Sequence, residues 1–254
     1  MVALPDYTRI RTEVDGGVAT LTLNRPEHGN AVDDAMHSEL TSVFADVRRD
    51  DRIRTVVLTG AGESFCVGGD SSPSRTFTTL TGLTPIQEAR LIVETLLDLD
   101  KPVIAAVGGD ALGLGAILAT LADVAFLAPS VRLGDRHVLG GVTAGNGSAA
   151  LWPVLVGLSR AKYLVLNGEV LSAEQAVSVG LAHQVVDDPL AAAHALATRW
   201  ADLPPFALQS TKSVLNVHLK QAASHALGYG LALEEQAMAG PEFAAVLAAR
   251  RAKR

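Results

Sequence analysis

Two glycine-containing turns are the clearest candidates for chemistry in this 254-residue sequence. Residues 64–70 follow a short apolar run at 55–59. Residues 108–115 follow a second apolar run at 103–107. Glycine lets the backbone approach a ligand closely, and a helix that begins at such a turn presents unpaired N–H groups. Two such turns side by side can aim two donors at one developing oxyanion. The alternative interpretation is two tight turns built from small residues.

A histidine in a later glycine-rich segment is the candidate for proton transfer. His137 lies within residues 135–147, and an unperturbed imidazole titrates near neutrality, so it can act as base, acid or proton shuttle. Asn146 follows nine residues later and can hydrogen-bond the ring or a substrate carbonyl. The alternative is a polar loop histidine. Asp110 and Asp135 either face the same pocket or are solvated loop acids.

Other polar residues point less clearly to a site. Asp70 is interpreted as a helix cap or turn anchor, and Cys66 as a small buried residue instead of a nucleophile. Arg75 or Lys101 either meets a phosphate group or is a surface charge. No spacing of ligands indicates a metal site, and no dinucleotide fingerprint is present. We therefore expect neither a metal nor a separate cofactor.

Strand and helix patterns alternate before these turns and then give way to helices. Alternation or apolar runs predict strands at residues 18–23, 55–59, 103–107 and 124–128, and helical spacing predicts helices at 36–47, 86–97 and 113–122. Beyond Asn146 the pattern is mainly helical, with a capping box at Ser172 and Gln175, a helix end at Gly180 and Ala-rich helices at 190–200, 206–219 and 222–238. This order predicts an α/β core followed by a helical C-terminal region.

Composition narrows the possible partners and location. Hydrophobic residues make up 48% and charged residues 19%, and this low charge density indicates further burial between subunits. The net charge of −6 and the lack of a basic block before the last few residues give no support for nucleic-acid binding. One cysteine, no signal-peptide pattern and no long apolar run predict an intracellular, cytoplasmic protein without a membrane span.

Several motifs in order resemble the crotonase superfamily, whose members include enoyl-CoA hydratases and isomerases. They lie at residues 24–31, 57–60, 65–70, 101–107, 155–157, 166–168, 172–176 and 180–181, with Gly141 and Gly145 between them. The resemblance covers roughly residues 7 to 254, with a shortening near Gly240. It implies a crotonase spiral of ββα repeats over residues 1–195, and a helical trimerisation region over 196–254. It also implies an acyl-CoA substrate, with CoA as part of that substrate, and a homotrimer or hexamer.

The resemblance also assigns roles to individual residues. The thioester oxygen would be held by the backbone N–H groups of Gly69 and Leu114, although the family usually has glycine at the second position. The residues implied for the substrate pocket are Val67, Gly68, Ile117, Gly141 and Trp152. The two glutamates of the hydratases correspond here to Ile117 and His137, so ordinary two-glutamate hydration is not supported.

Three functions follow as expectations. The first is an acyl-CoA enzyme of the hydratase/isomerase type, a lyase or isomerase that stabilises an enolate, with His137 transferring the proton. The second is hydrolysis of a CoA-free β-diketone, since the His137 segment is similar to crotonase-fold β-diketone hydrolases, although Asn146 replaces their aspartate. The third is a catalytically silent protein that binds acyl-CoA.

Overall fold

The computed structural model describes residues 4–72 and 76–252, so Arg75 and the terminal Lys253 and Arg254 lie outside the described residues. The strands are β1 (Ile10–Asp15), β2 (Val18–Leu23), β3 (Thr55–Gly60), β4 (Val103–Val107), β5 (Ala111–Leu112), β6 (Val124–Leu127), β7 (Arg132–Gly134), β8 (Leu171–Ser172) and β9 (Gln184–Val185). The helices are α1 (Asp34–Arg49), α2 (Pro85–Asp98), α3 (Leu114–Leu121), α4 (Ser148–Val156), α5 (Leu158–Asn167), α6 (Ala173–Val179), α7 (Pro189–Ala201), α8 (Pro205–Leu215), α9 (Val217–Met238) and α10 (Pro241–Arg251).

Two sheets form the core. The larger has the order β1-β2-β3-β4-β6-β9, parallel except for the antiparallel pair β1 and β2, and the smaller has the order β5-β7-β8. All five residues of β4 are buried, because helices cover both faces of the large sheet. On one face α7 contributes Ala193, Ala197 and Ala201, whose small side chains let the helix lie close to the strands. A strand of the large sheet, a strand of the small one and a helix recur along the chain, which confirms the predicted α/β fold.

Most of the predicted elements lie close to their expected positions. The strands β2 and β4 match the predicted bounds, and the capping box at Ser172 is present with both of its hydrogen bonds. Strand β1 was not predicted, because only Ile10 of its six residues is buried and its sequence shows no apolar face. The break that was predicted near residue 220 lies at Asn216, whose side-chain amide donates to the carbonyl of Leu97 at 3.0 Å.

The C-terminal helices pack on the core and on one another. The predicted boundary between residues 195 and 196 falls inside α7, which packs on β3 and β4 and so belongs to the core. Beyond α7, the long helix α9 packs against α2 and α4, and α10 contacts α9 and the turn Val138–Gly140. Within the part of the chain that is described, no helix has the length and apolar character needed to cross a membrane.

Candidate active site

The carboxyl ends of β3 and β4 bring the two glycine turns to the same edge of the large sheet. Parallel backbone bridges then join the turns to their neighbours, pairing Cys66 with Ala111 and Val32 with Gly69. A cavity of about 340 Å³ opens at this point, lined by both turns and by residues of α1, α2, α9 and α10. The residues that it receives from the turns are Val67, Gly68, Gly69, Asp70, Leu112, Gly113 and Leu114.

The two turns touch through glycines. Gly68 has φ +90°, and a Cβ atom there would lie 2.9 Å from the carbonyl oxygen of Leu112. Gly113 has φ +55°, and a Cβ atom there would lie 3.6 Å from Cα of Gly68. A side chain at Gly68 would therefore collide with the second turn, and both positions have a backbone conformation that favours glycine. This contact fixes the backbone of one turn against the other.

The backbone hydrogen bonds around the first turn leave the N–H of Gly69 unused. The N–H of Val32 donates to the carbonyl oxygen of Gly68 at 2.8 Å, and the N–H of Asp70 donates to the carbonyl oxygen of Val32 at 3.0 Å. Leu114 is the first residue of α3, where a helix has no internal acceptor for the N–H. Within residues 4–72 and 76–252, no hydrogen bond engages the N–H of either Gly69 or Leu114. Both predicted oxyanion donors thus line the cavity with unpaired N–H groups.

His137 lies beside the second turn and is held by Asp135. The ring atom Cε1 is 3.9 Å from where a Cβ of Gly113 would lie. Oδ1 of Asp135 is 2.7 Å from Nδ1 of His137 and accepts the backbone N–H of the same residue at 2.9 Å. The other oxygen, Oδ2, accepts from the hydroxyl of Ser148. Asp135 is only 1% exposed, which corrects the alternative of a solvated loop acid.

Asn146 contacts the opposite ring nitrogen. Its Nδ2 lies 3.1 Å from Nε2 of His137, so the predicted pair is in direct contact. The carboxylate that contacts the ring is that of Asp135, at Nδ1, so Asn146 and Asp135 hold the ring from its two nitrogens. When Nε2 is unprotonated the amide donates to it, and a 180° turn of the amide would present Oδ1 to a protonated Nε2.

Glu234 is a site residue that the sequence analysis missed. It belongs to α9, lines the cavity and is 6% exposed. A Cβ atom at Gly145 would lie 2.9 Å from its Oε2, so the carboxylate lies against the Gly145–Asn146 backbone. Among the described residues, neither Oε2 of Glu234 nor Oδ1 of Asn146 has a hydrogen-bond partner. No local signal in the Ala-rich helix distinguishes Glu234 from the neighbouring Glu235, which is exposed.

The buried charges shift one another's ionisation. Burial raises the pKa of Glu234 to about 7, with a further contribution from Asp135, although His137 opposes the shift. Burial alone would lower the pKa of His137, but Asp135 and, more weakly, Glu234 raise it to about 9. The pKa of Asp135 is lowered by His137 and Ser148 despite its burial. These shifts favour the cationic form of the His137 ring and the protonated form of Glu234, relative to the same groups in water.

Three residues predicted for the pocket do not line the cavity. Ile117 is 1% exposed and packs beneath Gly147, where a Cβ atom would lie 2.9 Å from it. Trp152 is buried in the core and donates from Nε1 to the hydroxyl of Thr120 at 3.0 Å. Gly141 lies against the backbone at the start of α10. Of the residues predicted for the substrate pocket, Val67 and Gly68 line this cavity and these three do not.

The remaining candidates have structural contacts. Asp70 accepts the backbone N–H of Ser72 at 2.7 Å and pairs with Arg25 at 3.2 Å, as expected for a turn anchor. The ammonium of Lys101 is buried and donates to two backbone carbonyls, so it is not a surface charge.

The last two candidates, Asp110 and Cys66, do not have the surroundings of catalytic groups. Asp110 pairs with Arg132 and does not line the cavity. Burial raises the pKa of the Cys66 thiol to about 12, which opposes a nucleophilic role. Over residues 4–72 and 76–252, no group of three His, Cys, Asp or Glu side chains is placed to hold a metal ion.

Comparison with known proteins identifies the family. A family model described as enoyl-CoA hydratase/isomerase matches residues 13–242. The chain belongs to the enoyl-CoA hydratase/isomerase family. This family, within the crotonase superfamily, accounts for the alternation of strands and helices and for the two turns at the sheet edge.

Individual family members are similar over most of their length. The 1,2-epoxyphenylacetyl-CoA isomerase of Escherichia coli (strain K12) is 40% identical over 213 residues, which are 82% of this chain and 81% of that protein. The (E)-benzylidenesuccinyl-CoA hydratase of Thauera aromatica is 35% identical over 224 residues, 87% of each chain. A crystal structure of an enoyl-CoA hydratase/isomerase from Mycobacterium paratuberculosis has a TM-score of 0.91 at 37% identity, covering 95% of this chain and 98% of that one. The protein is an enzyme of the enoyl-CoA hydratase/isomerase family.

Proposed function

We propose that the protein binds an acyl-CoA thioester and stabilises its enolate between the backbone N–H groups of Gly69 and Leu114. The observation that carries this proposal is the pair of unpaired N–H groups at two touching turns that line one cavity. Donors that are fixed before the reaction stabilise negative charge as it develops on the thioester oxygen, without the cost of reorienting. Leu114 serves as well as glycine here, because the donor is backbone.

His137 and Glu234 are proposed to move the protons. Enolate chemistry needs one group that removes a proton and one that returns a proton. With a pKa of about 9, His137 is a proton donor at neutral pH, and with a pKa of about 7, Glu234 supplies a carboxylate that accepts one. Asp135 holds the ring in place and favours its charged form. The pair thus offers an acid and a base on one wall of the cavity.

This arrangement favours proton shifts over the ordinary addition of water by two glutamates. Isoleucine has no ionisable group, and Ile117 is buried outside the cavity. The acid–base groups of this chain come instead from the His137 segment and from α9. An isomerase, or a hydratase with a different catalytic pair, fits these positions.

Hydrolysis of a CoA-free β-diketone is a second candidate, because one specific contact favours it. Asn146, which replaces the aspartate of the diketone hydrolases, carries no charge that could stabilise an imidazolium. Asp135 supplies that charge at 2.7 Å from the ring. In this reaction His137 must accept a proton, so the activity would rise as the pH rises through about 9.

Two measurements separate these functions. Calorimetric titration with acetyl-CoA should show binding if CoA is part of the substrate, whereas a CoA-free hydrolase should not require the nucleotide. Exchange of the α-protons of butyryl-CoA in D₂O, followed by NMR, then reports enolate formation without knowledge of the final product. Binding with exchange supports the first proposal. Binding without exchange supports a silent acyl-CoA-binding protein, and turnover of a diketone without CoA binding supports the hydrolase.

Assembly as a homotrimer or hexamer is part of the proposal. Large apolar side chains of α8 and α9 are exposed on the single chain, and a second copy would remove them from water. They include Phe206, Val214, Leu215, Val217 and Tyr229. The burial of such side chains between subunits also fits the low share of charged residues in the sequence.

A further inference from the structure

A second histidine–carboxylate pair lies in the wall of the same cavity. His37 is on the first turn of α1, lines the cavity, and its side chain is 12% exposed. Its Nδ1 lies 2.6 Å from Oε2 of Glu88, which is on α2 and fully buried. These residues take no part in the proton transfers proposed above.

The contacts of Glu88 fix which ring nitrogen of His37 is free. Oε1 accepts from the hydroxyl of Ser38 at 2.6 Å and from the hydroxyl of Thr81 at 2.7 Å. Burial opposes ionisation, but these hydrogen bonds together with His37 lower the pKa of Glu88, so the carboxylate is charged and only accepts. Nδ1 of His37 must therefore carry a proton and donate it. Among the described residues, Nε2 of His37 has no hydrogen-bond partner.

The surroundings of His37 indicate what Nε2 would contact. The neighbouring part of the cavity wall is apolar and comes from α2 and the chain before it, with Phe77, Pro85, Ile86 and Ala89. An apolar wall suits the hydrocarbon part of an acyl group. A polar atom held rigidly within such a wall selects a substrate that carries a matching polar atom.

We propose that His37, oriented by Glu88, is a specificity residue that hydrogen-bonds an oxygen substituent on the acyl chain beyond the β-carbon. The inference rests on the proposed function, because it takes the acyl group to lie in this cavity. The thioester end is assigned to Gly69, Leu114 and His137, and His37 is on a different element. The substrate class is thus an acyl-CoA with a hydroxyl or oxo group along its chain, in place of a plain alkyl chain.

The His37–Glu88 pair also lies in a network of structural hydrogen bonds. The test must separate this structural role from recognition of the substrate. Ser38 accepts the backbone N–H of Leu80 at 2.9 Å, so Glu88, Ser38 and Thr81 fasten the chain around residue 80 to α1 and α2. Oε1 of Glu88 makes these contacts without His37. Replacing His37 with asparagine keeps an amide donor near the position of Nδ1 and removes Nε2. Glutamine instead places a polar atom near the position of Nε2.

The test compares dissociation constants by calorimetry for hexanoyl-CoA and for its 4-, 5- and 6-hydroxy derivatives. A hydrogen bond to a well-placed group strengthens binding by about fivefold to tenfold. In the unchanged protein we expect at least one hydroxylated ligand to bind about that much more tightly than hexanoyl-CoA. His37→Asn should reduce this preference to less than about twofold, and His37→Gln should retain part of it. His28→Asn, which changes an exposed histidine outside the cavity, should retain all of it.

The outcomes distinguish this inference from the proposed function. Tight binding of hexanoyl-CoA with no preference for any hydroxylated ligand overturns the role of His37 and leaves the acyl-CoA site standing. A preference that survives in a folded His37→Asn protein also overturns it. If no acyl-CoA binds, the proposed function fails and the inference fails with it. If His37→Asn does not fold, His37→Gln is compared with His28→Asn. An equal loss of the preference for hydroxylated ligands in these two variants would contradict the assignment of His37 as a specificity residue.

Discussion

The α/β core and the C-terminal helices contribute different kinds of group to one cavity. The core supplies backbone N–H groups at Gly69 and Leu114, whose positions depend on the contact between Gly68 and Gly113. The helices supply a side chain, Glu234, which acts on the charge of His137. We propose that the core determines where negative charge is stabilised, and that Glu234 of the C-terminal helices influences the pH range in which protons are transferred.

The largest expected effect is the loss of proton transfer in His137→Ala. Removing a positioned acid–base group typically lowers the rate by about 10²–10⁴-fold. We expect a fall of this size in the rate of α-proton exchange on butyryl-CoA, with the affinity for the ligand little changed. His28→Ala serves as the control, since this histidine is exposed and outside the cavity. Unchanged exchange in His137→Ala would reduce His137 to a loop residue.

Hydration of crotonyl-CoA should be slow in the unchanged protein. Neither predicted glutamate position holds a glutamate, and Ile117 lies outside the cavity. We expect a turnover about 10²–10⁴-fold below that of an efficient hydratase, as for loss of an acid–base group. The measurement is the loss of absorbance of the conjugated thioester. A turnover on the order of 10³ s⁻¹, at the upper end of typical enzymes, would show that the catalytic groups are misplaced.

Glu234→Gln should lower the maximal rate, because it removes the proposed base, and it should also change the pH dependence of the activity that remains. With His137 as acid, activity falls as the pH rises through about 9, and with Glu234 as base it falls as the pH drops through about 7. Removing the negative charge of Glu234 lowers the pKa of His137, because that charge favours the imidazolium. The alkaline limb should therefore move to lower pH, and the limb near pH 7 should disappear. Profiles of kcat/KM measure both changes.

Two further variants test the predicted change in pH dependence. One is a control, and the other should shift the alkaline limb in the opposite direction. Glu235→Gln changes the exposed neighbour on the same helix and should leave both limbs in place. Asn146→Asp adds a negative charge beside Nε2 of His137, so the alkaline limb should move to higher pH, opposite to the shift in Glu234→Gln. Shifts of the same sign in both cavity variants would contradict the electrostatic role of α9.

The last prediction concerns the oligomeric state and has the least connection with the catalytic rate. If the exposed apolar residues of α8 and α9 are covered by other copies, light scattering at micromolar concentration should give a trimer or hexamer of the 26.4 kDa chain. Phe206→Ser, at a side chain that is 84% exposed, should weaken assembly more than a matched Phe77→Ser change at the cavity. A stable monomer would count against the assembly proposal.

The sequence predicted the parts of the molecule that depend on local patterns. The strand at residues 103–107 is an apolar run, and the helix that begins at Ala173 has a capping box, so both are found within a few neighbouring residues. Gly69 and Leu114 were located because the turns that hold them follow such strands. The motifs shared with the family supplied the assignment of the two donors.

The contacts made over long sequence separations could not be predicted in this way. Glu234 reaches the cavity only because α9 packs against α4, and helical spacing alone does not distinguish it from Glu235. Trp152 follows the glycine-rich segment closely, yet the direction of α4 buries it against Thr120. Asp135 has the sequence of a loop acid, and only the tertiary contact with Ser148 shows that it is buried.

The most direct test of the central claim removes one backbone donor and little else. Leu114 is the first residue of α3, a position where proline is well tolerated, so Leu114→Pro deletes the N–H while the helix can still form. Leu114→Ala is the matched control, because it shortens the side chain and keeps the N–H. The measurement is α-proton exchange on butyryl-CoA in D₂O, with folding checked by thermal unfolding. We predict that Leu114→Pro exchanges about 10²–10³-fold more slowly than Leu114→Ala, as expected for one oxyanion donor. Equal exchange rates in the two folded variants would contradict the oxyanion hole.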